Sequence, residues 1–257
     1  MTWARIVSPP AVWGKLPTHA DYVQQGVRDQ EVSYWQAWLA GQVRPAGELP
    51  DDQAPHPGIP VIFALPPRAL GFAPHHWVSG VAAASCDKLG RAHPIIVYQQ
   101  SDARWLRQQF ERLSHDPAAP QSHGWHHWLA RAVARYSPSM IEKKPAAEVP
   151  GVSLTTLVRQ LWDMHSPGMW QYIGLRRRAP NAHAVKSLLD EASKSGLADD
   201  PAADLASVAR LPWSDWPECI WSDRSGQRNP ADCLFWQQDG NGGYVAAARR
   251  LGELWGR

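Results

Sequence analysis

Two short stretches concentrate side chains able to grip an anion, move a proton or attack a carbonyl: Trp13-Gly14-Lys15-Leu16-Pro17-Thr18-His19-Ala20-Asp21-Tyr22 and Ser85-Cys86-Asp87-Lys88-Leu89-Gly90-Arg91-Ala92-His93-Pro94. Gly14-Lys15 has the start of a phosphate loop's ending, but that motif needs a hydroxyl residue after the lysine, and Leu16 stands there. The plain alternative is a strand end turned by Gly14 and Pro17, with Lys15 solvated and Asp21 capping the next segment. In the second stretch Asp87 and Arg91 lie four residues apart across a turn containing Gly90, so carboxylate and guanidinium can pair and fix the loop. With Arg91 turned outward, its planar fork and Lys15 would instead form a cationic site for a carboxylate or phosphate on a partner, with Asp21 and Asp87 orienting them.

The chain has 11 histidines, so catalytic and metal-binding readings have to be weighed. A hydrolase built from His19, Asp21, Ser85 and His93 is conceivable, yet Ser85 lacks the Gly-x-Ser-x-Gly elbow and no oxyanion hole is legible. His123, His126 and His127 share one helical face at i, i+3 and i+4, a spacing compatible with metal ligation. No carboxylate completes that site, and the adjoining Trp125 and Trp128 indicate a packed amphipathic helix. No catalytic residue, metal or cofactor is therefore expected. Arg176-Arg177-Arg178 reads as a solvated strand end or a docking point, and Trp213 with Trp216 as a core lid or an exposed aromatic patch.

The same two stretches resemble the signature segments of the TagF (ImpM/SciT) family, accessory proteins of the bacterial type VI secretion system. The first family segment is similar to Gly-Lys-Leu-Pro, three variable positions, then Asp and an aromatic, matched at Gly14, Lys15, Leu16, Pro17, Asp21 and Tyr22; Ala20 stands where glycine is usual. The second resembles Gly-Val, a spacer, then Ser-x-Asp-x-x-Gly-Arg-x-x-Pro, matched at Gly80, Val81, Ser85, Asp87, Gly90, Arg91 and Pro94, with His93 replacing an aromatic. Phe63-Ala64-Leu65 resembles the strand between them. The similarity is strongest over residues 12–100, whereas 101–257 diverge, with Cys219-Ile220-Trp221 similar to a Trp-rich family strand and Ser222 replacing its second tryptophan. The resemblance implies a non-enzymatic, cytoplasmic regulator that represses secretion post-translationally by binding a forkhead-associated-domain scaffold. Lys15, Asp21, Tyr22, Ser85, Asp87, Gly90 and Arg91 are its candidate docking and motif residues. A structural part of the secretion machinery is the alternative, and a histidine-dependent hydrolase or metal-binding protein a more distant one.

The elements that must position these residues follow from periodicity. Val32, Trp35 and Leu39 predict a helix over Asp29 to Leu39, and five prolines within 44–60 exclude regular structure until Val61. Val61–Leu65, Trp77–Ala84 and Pro94–Tyr98 read as three buried strands whose short connections make them antiparallel neighbours. Ser101-Asp102 caps a helix through Trp105, Leu106, Phe110 and Leu113, and a second helix spans Ser122 to Tyr136. Residues 137–151 hold three prolines and a glycine, the best internal boundary. Beyond it, helices are predicted over Leu154–Met164, Ala182–Ser193 and Asp204–Arg210, strands over Met169–Leu175, Glu218–Trp221 and Asp232–Gln237, and a last helix over Tyr244–Trp255 after Asn241-Gly242-Gly243. The expected fold is α/β (α+β), a single domain over 1–257 with a mostly antiparallel central sheet flanked by helices.

Composition agrees with this picture and narrows the function. The 257 residues are 44% hydrophobic and 19% charged, enough to bury a core. A net charge of +2 and the absence of a dense basic block argue against nucleic acid as partner. The first ten residues lack a signal-peptide core, and no run of about 20 apolar residues exists. Cys86, Cys219 and Cys233 are odd in number and form no Cys-x-x-Cys pair, so reduced thiols are expected. The outlier is tryptophan, 15 in all, expected mostly in the core with a minority available for docking.

Overall fold

Val61-Ile62-Phe63-Ala64-Leu65 shows how the sheet is built, because every one of its side chains is buried yet alternate ones enter different cores. A strand apolar on both faces must lie inside a sheet covered on both sides. In the computed structural model, which describes residues 6–42, 58–110, 124–136, 152–165, 182–194 and 233–255, that is the arrangement. Seven strands, β1 (Ala11–Gly14), β2 (Val23–Gln25), β3 (Val61–Leu65), β4 (Trp77–Ala83), β5 (Ile95–Ser101), β6 (Leu234–Gln238) and β7 (Tyr244–Ala248), form one sheet in the order β2-β1-β5-β4-β3-β6-β7. All their pairings are antiparallel. A central meander, β3-β4-β5, is thus extended on one side by the β1-β2 hairpin and on the other by β6-β7.

Helices cover both faces. On one side α1 (Asp29–Gln42) inserts Trp35 among Phe63, Phe72 and Tyr98. Its first turn is fixed by Glu31, a buried carboxylate that accepts from Arg28 Nη2 at 2.6 Å, from the Tyr98 hydroxyl at 2.7 Å and from the Arg28 backbone N–H at 3.3 Å. The last bond is half of a capping box, and acid in the first turn suits the helix dipole. Burial and the neighbouring Glu31 push the Tyr98 phenol up, so it stays a donor. On the other side lie α2 (Ala103–Phe110), α3 (Trp125–Ala134), α4 (Leu154–His165) and α5 (Ala182–Lys194). Asp102 caps α2, its Oδ1 accepting the Trp105 N–H at 2.7 Å. Every residue of α3 is buried, including His126, whose Nε2 lies 3.0 Å from Ser79 Oγ on β4.

The predicted helix over Tyr244–Trp255 is not formed. Its first five residues are β7, followed by a 3-10 turn at Leu251–Glu253. Asp239 closes a hairpin there, its Oδ1 accepting the N–H groups of Asn241 (2.9 Å) and Gly243 (2.7 Å), while Gly242 adopts a left-handed φ of 85°. The alanine run, helix-prone in isolation, is recruited as a strand because the turn delivers it against β6. The other expected strands and helices among the described residues form within a few residues of their predicted ends, though β5 runs on to Ser101. The predictions for 137–151, Met169–Leu175, Arg176–Arg178, Asp204–Arg210, Trp213, Trp216 and Glu218–Ser222 lie outside the described residues. Of the tryptophans, Trp13, Trp35, Trp77, Trp105, Trp125, Trp128 and Trp236 are buried. No described helix is long and apolar enough to cross a membrane.

Two expectations test this architecture. A Cβ at Gly80 would stand 2.0 Å from the Val97 carbonyl oxygen, so Gly80→Ala must push β4 and β5 apart. It should cost about 3 kcal/mol in chemical denaturation, the upper end for overpacking; a wild-type midpoint would contradict the strand placement. Burial, with a smaller contribution from the nearby His165, pushes His126 down to about 3. The unfolded chain therefore takes up a proton near pH 6.5 that the folded chain refuses, and stability present above that value is lost as pH falls towards 3. His126→Gln should flatten the stability curve between pH 6 and 4 by about 1.4 kcal/mol per pH unit.

Candidate functional site

Both signature stretches arrive at one corner of the sheet because β1 and β5 pair antiparallel, setting Gly14 opposite Ile95. The approach is close enough to demand glycine. Gly14 has φ of 139°, and a Cβ on it would fall 2.1 Å from the Pro94 carbonyl oxygen. Beyond Gly14 the chain turns inward, burying Lys15 and Leu16, and returns outward through a turn closed by the His19 N–H on the Leu16 carbonyl at 2.9 Å.

Opposite it, the β4-β5 connection is a narrow hairpin. Its rungs are the His93 N–H on Ser85 O (2.9 Å), the bridge between Cys86 and Ala92, and the Asp87 N–H on Arg91 O (3.1 Å). The three-residue loop Lys88-Leu89-Gly90 is closed by the Gly90 N–H on Asp87 O at 2.9 Å, with Gly90 left-handed at φ of 79°. Asp87 governs this loop through both carboxylate oxygens. Oδ1 accepts the N–H groups of Leu89 (3.0 Å) and Arg91 (2.9 Å); Oδ2 receives Arg91 Nε at 2.6 Å and Lys15 Nζ at 3.0 Å. Burial alone would raise this carboxyl, but the Arg91 N–H, the two cationic side chains and the Leu89 N–H together hold it well below the usual carboxylate range. Lys15 is thus buried in an ion pair, which corrects the solvated reading.

The hairpin also clamps the first stretch. Arg91 Nη2 donates to the Ala20 carbonyl at 2.9 Å and the Lys88 N–H to the His19 carbonyl at 2.8 Å. Beneath this clamp, Lys15 Nζ lies 5.2 Å from the centre of the Tyr22 ring, a cation–π geometry. Tyr22 stacks on Trp13 at 5.9 Å and 10°, and His93 meets Trp13 and Tyr22 edge-on at 4.7 and 4.8 Å. His93 Nδ1 donates to the Pro94 carbonyl at 2.7 Å. Burial lowers its affinity for a proton, Lys15 lowers it further, and the carbonyl partly opposes both.

Of the candidate residues, Lys15, Asp87 and Arg91 form one cluster, Tyr22 covers it, and Gly90 shapes its loop. Asp21 does not join: it is exposed, its Oδ1 accepts the neighbouring Tyr22 N–H at 2.7 Å, and only Asp87 orients the cations. Ser85 is buried beside the hairpin and its Oγ has no hydrogen-bond partner, so no histidine activates it. His19 is engaged instead with Thr18 Oγ1 at 2.8 Å, and the imagined hydrolase is not assembled. Among the described residues no group of three His, Cys, Asp or Glu side chains converges to hold a metal ion; His123 lies outside them. Cys86 is a free thiol. Within the two stretches sequence reasoning gave no separate role to Trp13, Lys88 or Leu89, and took His93 as a possible catalytic base and as the replacement for a family aromatic. The cue available was the aromatic at each motif's edge.

The geometry ranks three substitutions. Asp87→Ala strands the buried Lys15 and frees two loop N–H groups, so it should lower the urea midpoint most. Lys15→Ala should follow, leaving Asp87 its Arg91 bonds. Arg91→Ala, whose side chain is 59% exposed, should cost only about 0.5–1 kcal/mol. Equal midpoints for all three would refute the buried-carboxylate architecture.

Residues 11–121, which contain β1, β2 and the whole hairpin, match the TagF N-terminal domain, type VI secretion system-associated. No curated protein matches the chain. Among solved structures, PA0076 from Pseudomonas aeruginosa PAO1 is similar at 16% identity, over 96% of this chain and 92% of that one, with a TM-score of 0.34. This chain therefore carries a TagF N-terminal domain, which is type VI secretion system-associated.

Proposed function

We propose that this protein is a cytoplasmic, non-enzymatic regulator of type VI secretion that represses the system post-translationally by binding its forkhead-associated-domain scaffold. The observation that carries this reading is the state of the signature residues. Lys15, Asp87 and Arg91 fix one another in a corner from which Arg91 stays exposed, and Ser85 beside them is paired with no base. Such a corner suits recognition, because its side chains and backbone are ordered before a partner arrives. Repression would work by sequestration: occupying the scaffold's surface lowers its free concentration, with no bond made or broken.

Deleting the gene should raise the amount of type VI effector released into culture medium, and re-expression should lower it again. Abolished secretion would instead identify a structural part of the machinery. The purified chain should retain the purified scaffold on a column, and Arg91→Ala, folded by its unfolding midpoint, should weaken retention at least tenfold. Retention unchanged by Arg91→Ala would move the docking surface elsewhere, and no retention of the scaffold by the wild-type chain would remove it as partner.

A further inference from the structure

Leu89 sits at the apex of the hairpin, a position where turn chemistry favours glycine, asparagine, aspartate or serine. The residue is 71% exposed and takes part in neither hydrophobic core. Among the described residues the exposed large hydrophobics are Tyr22, Tyr34 and Leu89. Tyr34 lies against Gly71 and Phe72 on the α1 face, whereas Tyr22, 41% exposed, belongs to the same corner as Leu89. A single exposed leucine is ordinary. This one is held out on a backbone that is not free to move, since its N–H is bound by the buried Asp87 carboxylate and the following glycine is locked in a left-handed turn. The fold gains nothing from an apolar side chain there.

The charge around it is also one-sided. Asp87 carries one negative charge against Lys15 and Arg91, so the cluster retains one uncompensated positive charge, and the exposed Lys88 adds a second. Arg91 uses Nε on Asp87 and one Nη2 hydrogen on Ala20, which leaves guanidinium donors facing outward. The nearby Asp21 is the opposing exposed carboxylate.

From these observations we infer that Leu89 is an apolar knob that enters a socket on a partner protein, and that the socket is rimmed by carboxylates which meet Lys88 and Arg91. A second copy of this chain is disfavoured as occupant, because a two-fold contact through the apex would set Lys88 and Arg91 against their own counterparts. This occupant rests on the corner being the docking surface of the proposed function, but its chemistry is independent of the partner's name.

Photo-crosslinking from the apex tests it. A benzoyl-phenylalanine in place of Leu89, with a control at Tyr34, is introduced into the full chain in cells carrying their native secretion system, and adducts are mapped to partner peptides by mass spectrometry. The expected adduct from position 89 is a peptide with more Asp and Glu than Lys and Arg, and adding Lys88→Glu should cut its yield at least fivefold without moving the unfolding midpoint. An adduct to a basic or neutral segment, an adduct to a second copy, insensitivity to Lys88→Glu, or no adduct would each overturn the inference. An acid-rimmed socket on a protein other than the forkhead-associated scaffold would sink the proposed partner while leaving the knob standing. Adducts to the scaffold from position 34 alone would do the reverse.

Discussion

The corner of the molecule depends on one buried negative charge. A carboxylate with no solvent contact is tolerable only when its oxygens are filled by donors and its charge is opposed. Asp87 meets that requirement with two backbone N–H groups from its own loop, one guanidinium from across the loop, and one ammonium from a strand end far earlier in the chain. The demand therefore acts in both directions. It forces the hairpin into its turn, and it draws Lys15 inward, which in turn requires Gly14 to let β1 run tight against Pro94. Two stretches that look separate in sequence are two halves of one electrostatic unit.

The unit is tied to the fold through Trp13. Its ring is buried in the core that α1 covers, and the same ring stacks on Tyr22 and receives the edge of His93. Across that core, Glu31 links the first turn of α1 to Tyr98 on β5, the strand that continues from the hairpin. Packing of α1, the register of β5 and the aim of the hairpin are thereby coupled through short contacts, and the interior transmits displacement because it is close-packed.

How much of this was legible depends on the range of the interaction. Strands β3 to β5 declare themselves in sequence, since continuous apolar runs bounded by turn residues have few alternatives. The Asp87–Arg91 pair was also visible, being local. The ammonium of Lys15 was not: a lysine after a strand reads as solvated until the partner carboxylate, contributed by a distant loop, is known to lie beneath it. The C-terminal hairpin failed for a related reason. Asp239-Gly240-Asn241-Gly242-Gly243 and Asp87-Lys88-Leu89-Gly90-Arg91 make the same backbone bonds, with an aspartate Oδ1 taking the N–H groups two and four residues on and a glycine in left-handed conformation at the fourth place. Recognising Asp87–Arg91 as a turn should have identified Asp239–Gly243 as another, but the alanine run after the latter carried a stronger local helix preference than the turn's grammar.

That shared grammar also separates what the β4-β5 hairpin needs for shape from what it carries beyond it. The Asp-x-x-Gly frame is sufficient to close a three-residue loop, as the C-terminal hairpin closes with glycine and asparagine in the intervening places. Lys88 and Leu89 are therefore not required by the turn, and Arg91 exceeds what its position asks for, since Gly243 occupies the equivalent site. Asp87 with Gly90 supplies the geometry; Lys88, Leu89 and Arg91 are the side chains displayed on it. A frame this constrained keeps its displayed groups in place before any encounter, so the ordering cost of association falls mainly on the partner. Rigid scaffolding beneath a small exposed set suits the docking role proposed for this corner, and the sequence places that set at the apex.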